Sequence, residues 1–163
     1  KIRTEAQIVS VDSSAKMINL SKIKVKTSHL NIEFNCSKIE NFKPSESFNP
    51  DLIIAHFFLD CFTYDEALLI LDRITRWAAA DAKFIISDFS ITKKVSFHRV
   101  YQKILTNIMI SFFSLFCGIS ARILLNIPKL MTSSGWNCLS QKRSRHGFIN
   151  SWIWQIEGYA KRP

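Results

Sequence analysis

The residues best placed to do chemistry are acids that close apolar runs: Asp12 ends AQIVSVD, Asp60 ends DLIIAHFFLD and Asp88 stands next to last in KFIISDF. An acid after a strand commonly caps whatever follows it. In an open α/β sheet, however, the carboxyl ends of the strands line the binding crevice, and at Asp12 and Asp88 the two readings compete. His56 sits inside an apolar run, where a neutral core histidine with one backbone hydrogen bond is the ordinary state. Other chemistries are excluded by spacing. The only glycines are Gly118, Gly135, Gly147 and Gly158, so no glycine-rich turn exists to bring backbone N–H groups onto a phosphate. Cys36, Cys61, Cys117 and Cys138 are never closer than 21 positions, so no paired-cysteine metal motif occurs and no metal site is expected. These scattered thiols read as buried cysteines of a reducing compartment.

The elements that must position these residues alternate between strand and helix. Ala6 to Asp12 reads as a strand and Ser13 to Leu20 as the start of a helix, with Lys22, Lys24 and Lys26 as a basic turn. His29 to Phe34 alternates as a strand does, and Pro44 to Pro50 is a loop. The apolar middle of Asp51 to Asp60 suits a parallel strand buried on both faces. Thr63-Tyr64-Asp65-Glu66 is a capping box, followed by Leu68, Leu71, Ile74, Trp77 and Ala78 on one helical face. Lys83 to Phe89 is a second buried strand. The order predicts an α/β fold with a mostly parallel sheet. Pro128 to Ser134 is a short helix stopped by Gly135, and Trp136 to Arg143 with Gly147 to Glu157 forms a closing hairpin.

Between these parts, Phe97 to Phe116 repeats apolar residues at three and four, as a long helix with a wide apolar face does. Its uncharged run from Ile104 to Ile119 is 16 residues, short of the roughly 20 that span a bilayer, which favours a buried or lid helix. Charge is divided along the 163-residue chain: residues 1–92 hold 11 Lys+Arg and 12 Asp+Glu, and residues 93–163 hold 11 Lys+Arg and one Glu. The densest basic cluster, Lys142, Arg143, Arg145 and His146, reads as a solvated hairpin turn. Nucleic-acid binding is disfavoured because the basic residues do not interleave with aromatics in a recognisable motif.

IVSVDSSAKM, DLIIAHFFLD, KFIISDF and SSGW…GFINSWIWQIEG fall in the order of a class I S-adenosylmethionine-dependent methyltransferase, and the chain resembles that family over nearly its whole length. The resemblance implies a Rossmann-like α/β fold with a C-terminal antiparallel hairpin. It makes S-adenosylmethionine the cofactor, with Asp12 gripping both ribose hydroxyls through two acceptor oxygens. Ser13 and Met17 lie beside ribose and adenine, and Asn35 and Cys36 take the place of the acid that often receives the adenine amino group. Ala55, His56 and Phe57 border the methionine part and the sulfonium. Leu59 and Asp60 begin the loop facing the acceptor, Asp88 and Tyr101 contribute to the acceptor pocket, and His56 and Asp88 are the candidate bases. Residues 91–127 form the lid and pocket segment of a single domain over 1–163.

The family's first strand and its glycine-rich loop should precede Lys1, so the chain is read as a piece of a longer enzyme that binds cofactor poorly by itself. The implied activity is methyl transfer to a small, moderately apolar acceptor in the cytoplasm. The competing reading is a non-catalytic, degenerate module acting at a membrane surface or on a protein partner, supported by the uncharged aromatic segment and the basic second half.

Overall fold

Among the described residues, two short strands joined by a helix lie in the first unit of the chain, Lys1–Phe48, and a four-stranded sheet with two helices lies in the second, Asn49–Pro163. The structure, a computed structural model, describes residues 6–25, 30–89, 125–145 and 148–156. Tyr101 and nearly all of the 91–127 segment, including the Phe97 to Phe116 helix expected from sequence, lie outside these residues.

In the first unit β1 (Gln7–Asp12) and β2 (Asn31–Cys36) run parallel, in register from Gln7↔Asn31 to Asp12↔Cys36. The connecting helix α1 (Ala15–Val25) begins where Ser14 turns the chain: its hydroxyl accepts the Met17 amide at 3.3 Å and its carbonyl the Ile18 amide at 3.0 Å. Lys22 and Lys24, expected in a turn, belong to the last turn of this helix. Lysine is a good helix former, and there its charge faces the negative end of the helix dipole. The Lys22 ammonium also sits 5.8 Å from the centre of the Phe34 ring.

In the second unit the strands are β3 (Leu52–His56), β4 (Lys83–Phe89), β5 (Trp136–Ser144) and β6 (Ile149–Ile156), in the spatial order β3-β4-β6-β5. β3 and β4 are parallel; β6 is antiparallel to both β4 and β5. The expected capping box is present at the start of α2 (Tyr64–Trp77): the Thr63 hydroxyl accepts the Glu66 amide at 3.4 Å, and Glu66 accepts the Thr63 amide at 2.8 Å. The helix α3 (Ile127–Ser133) starts at Asn126, whose side chain accepts the Lys129 amide, and stops at Gly135. Gly135 has φ +80 with no atom within 4 Å of where a Cβ would lie. Backbone conformation, not space, therefore calls for glycine there.

The core lies on one face of the sheet. Phe84, Ile86, Trp136, Trp152, Trp154 and Ile156 are buried there together with Ala67, Ile70, Leu71 and Ile74 of α2 and Ile127, Leu130 and Met131 of α3. The buried stripe of α2 is rotated slightly from the expected one: Ala67, Ile70 and Thr75 are buried, while Leu68 and Trp77 are half-buried. β3 departs from the expectation of burial on both faces, since Leu52 and Ile54 are 48% and 56% exposed. The reason is that α2 and α3 cover the opposite face. The strand ends at His56 and gives way to a 3₁₀ turn at Leu59–Cys61, where the sequence reading begins a loop. Cys36 and Cys138 are exposed and Cys61 half-buried, contrary to the expectation of buried thiols; all three are unbridged.

Trp136, fully buried, donates its indole N–H to the Thr75 hydroxyl at 3.0 Å and meets the Phe84 ring edge-on at 5.5 Å. Leaving that N–H without an acceptor costs about 1–3 kcal/mol. Thr75→Val should therefore lower unfolding free energy by that amount in urea titrations, while Thr75→Ser, which keeps the hydroxyl, should recover most of it.

Candidate functional site

In the first unit the sequence-predicted residues gather at one end. Register places Asp12 opposite Cys36 and Val11 opposite Asn35, so the carboxyl ends of both parallel strands carry Asp12, Ser13, Asn35 and Cys36 side by side. The Asp12 carboxylate, half-buried, accepts the Ser14 amide through Oδ1 at 2.7 Å, which is the capping role expected of an acid after a strand. The Cys36 thiol points at the Ser13 carbonyl at 4.0 Å, and the Asn35 amide oxygen accepts the Ser37 hydroxyl at 2.7 Å. Met17, on the first turns of α1, is 49% exposed, leaving a polarizable apolar surface open next to these groups.

In the second unit the carboxyl ends of β3 and β4 hold the remaining candidates. His56 pairs with Ser87 and is exposed; Ala55 is buried on the other face. Phe57 follows with φ 51, a left-handed backbone uncommon for a residue with a side chain. Its amide donates to the Ser87 carbonyl at 2.8 Å, and its ring lies 4.6 Å from that of Phe89, which in turn lies 5.1 Å from Phe148. The chain then enters the Leu59–Cys61 turn, with Leu59 fully buried and Asp60 half-buried.

Asp88 anchors this end of the sheet from inside. It has no exposed surface; Oδ1 accepts the Phe89 amide at 2.9 Å and Oδ2 the Asp60 amide at 3.3 Å. The capping reading of Asp88 thus has these two amides behind it, and the pocket-facing reading has no open surface. Burial, reinforced by a hydrogen bond to Asp60 and by its negative charge, pushes the Asp88 carboxyl up to about 9, against the smaller opposing effect of the two amide donors. Directly across on β6 stands Asn150, 5% exposed, whose Oδ1 is buried without a hydrogen-bond partner. Sequence reasoning missed Asn150, although alternation in INSWIWQI puts it in phase with Trp152 and Trp154 and so marks it as a polar residue aimed at the core.

Elsewhere on this unit, a cleft of about 680 Å³ lined by Asp65, Leu68, Leu69, Asp72, Thr75 and Gly135 contains none of the sequence-predicted residues. No group of three or more potential metal ligands occurs among the described residues, and no helix among them is long and apolar enough to cross a membrane.

The topology of β3, β4, β6 and β5, a parallel pair extended by an antiparallel hairpin with acids at the strand ends, agrees with a family match over residues 1–142 to a methyltransferase domain. The chain belongs to this methyltransferase family. No curated protein matches the sequence. Among solved structures, similarity extends to LepI in complex with SAM, at 15% identity and TM-score 0.67, covering 93% of this chain and 37% of that one. The mitomycin 7-O-methyltransferase MmcR is similar at 12% identity and TM-score 0.66, over 93% of this chain and 49% of that one. A protein described as a pericyclic reaction enzyme matches at 15% identity and TM-score 0.67, over 93% and 37%. The methyltransferase chain thus spans between a third and a half of the length of these structures. At such identities the likeness establishes a Rossmann-like α/β fold and leaves chemistry to be argued from the site.

The raised Asp88 carboxyl has a signed effect on stability. Between the ordinary value of 3.8 and about 9 the folded protein keeps a proton that the unfolded chain has lost, so this group's contribution to stability falls as pH rises through that window and is level above it. Urea unfolding across pH 5 to 9 should show this decline, and Asp88→Asn, neutral at every pH, should flatten it.

Proposed function

We propose that the protein of which this chain is part transfers a methyl group from S-adenosylmethionine to a small, moderately apolar acceptor. The observation that carries the reading is the Asp12 carboxylate at the carboxyl end of β1, beside the end of the parallel strand β2 and directly before a helix. One carboxylate supplies acceptors for a vicinal diol, and an exposed Met17 beside it offers apolar surface for an adenine. The donor set therefore fits the nucleoside end of the cofactor. Asn35 has its amide oxygen already engaged by Ser37; the second lone pair of that oxygen is what remains for an amino donor.

When bound, the cofactor supplies a methyl carbon already activated by a sulfonium. The protein's own share is to bind, orient and exclude water. The family resemblance assigns Ala55, His56 and Phe57 to the methionine end, and Leu59 and Asp60 to the acceptor side. An acceptor hydroxyl must lose its proton as the carbon–oxygen bond forms. His56, exposed at the end of β3, is the group assigned to receive it. Asp88, buried and holding a proton, is a poor base in this arrangement and is assigned a supporting role.

Calorimetric titration of the full-length protein with S-adenosylmethionine tests the reading. Asp12→Ala should weaken binding by about 10- to 100-fold, the loss of hydrogen bonds to a charged acceptor. Circular dichroism of the same variant separates this from the loss of the Asp12–Ser14 hydrogen bond that precedes α1. Unchanged affinity would remove Asp12 from the ribose.

A further inference from the structure

The turn after β3 does not hold its shape by itself. It opens on Phe57 in a left-handed conformation and is fastened to the end of β4 at successive points: the Phe57 amide on the Ser87 carbonyl at 2.8 Å, the Phe57 ring on Phe89 at 4.6 Å, and the Asp60 amide on Asp88 Oδ2 at 3.3 Å. The last of these joins residues 28 apart in sequence through a side chain with no exposed surface. The Asp60 carboxyl is itself engaged from within the turn, accepting the Cys61 thiol at 3.7 Å, and the same thiol reaches the Phe57 carbonyl at 3.6 Å.

We propose that Asp88 is a positioning residue for the methyl-transfer site: from the buried end of β4 it holds the Phe57–Asp60 turn in place through the Asp60 amide, and so sets the surface against which the sulfonium end of the cofactor rests. The inference rests on the assignment of that turn to the cofactor and acceptor under the proposed function. A carboxyl suits the task in its protonated form. Two carboxylates cannot share this buried corner at low cost, whereas a carboxyl and a carboxylate share one proton. The groups facing Asp88 are Asp60 from the turn, whose carboxyl holds the Cys61 thiol, and the neutral Asn150 from β6, which brings an unpartnered acceptor oxygen to the same corner. His56 lies beside Ser87 and therefore on the other face of the sheet. Ionisation of Asp88 puts a second negative charge next to Asp60 and loosens the turn.

The full-length protein, Asp88→Asn and Asp88→Ala are compared by hydrogen exchange of the peptide spanning residues 57–62, corrected for intrinsic rates, and by calorimetry with S-adenosylhomocysteine, both between pH 7 and 10. Asparagine removes the charge but keeps a single acceptor oxygen, so of the Phe89 and Asp60 amides that Asp88 holds it can retain only one. The expected result is that the wild-type turn loses protection and ligand affinity as pH rises through about 9, that the Asn variant shows no alkaline loss whatever its level at pH 7, and that the Ala variant binds about tenfold more weakly than wild type at pH 7. Exchange and affinity unchanged in Ala would overturn the proposal, and so would an alkaline loss retained in Asn. Altered exchange with unaltered affinity would reduce Asp88 to a structural residue and also overturn it. A wild-type protein that binds no S-adenosylhomocysteine while its turn responds as described would instead overturn the proposed function. If Ala fails to fold, the pH series of wild type against Asn decides alone.

Discussion

The second unit depends on the insertion of β6 between β4 and β5. Because β6 runs antiparallel to both, every second residue along it meets a core residue of β4: Trp154 faces Phe84, Trp152 faces Ile86, and Asn150 faces Asp88. Burial of these large side chains against α2 and α3 is the main favourable term available to the unit, at about 25 cal/mol for each Å² of apolar surface removed from water. The same alternation carries the core pattern one step too far for apolar chemistry. At the end of the sheet it delivers an amide and a carboxyl to positions that the preceding steps have made dry. The polar corner is thus a direct product of the register that builds the core.

That corner explains why function and stability pull against each other there. A buried carboxyl with a depressed tendency to ionise weakens the fold as pH rises, and an unpartnered Asn150 oxygen adds a desolvation cost. Both are tolerated at the carboxyl ends of β3 and β4, where an open α/β sheet places its ligands. In the first unit the equivalent position is simpler. Asp12 is half-buried and capped onto Ser14, and it stands with Asn35 and Cys36 because parallel pairing aligns both strand ends.

Much of this was legible in the sequence wherever one short-range rule decided the outcome. The capping box at Thr63, the strand over Lys83–Phe89 and the stop at Gly135 each depend on a few neighbouring residues and were read directly. At Lys22 and Lys24 the charge run suggests a turn and lysine's propensity suggests a helix, and propensity decides. The end of β3 is blurred in the sequence because DLIIAHFFLD stays apolar past His56, and nothing local shows that Phe57 reverses its backbone. The candidate site was legible as a set of strand-end acids. Which of those acids is open and which is sealed was not, since that depends on Asn150 arriving from β6 and Asp60 from the turn after β3.

Phe57 carries a further implication. A left-handed backbone costs a residue with a side chain about 1–2 kcal/mol, and in this chain no glycine occurs before residue 118 to take such a position freely. The ring contact with Phe89, and through it with Phe148, is what offsets that cost. The three aromatic positions are therefore epistatic. Replacing Phe89 removes the reason for an aromatic at 57, after which glycine becomes the better residue there, so sequences drifting from this one should exchange the three positions together or keep them all.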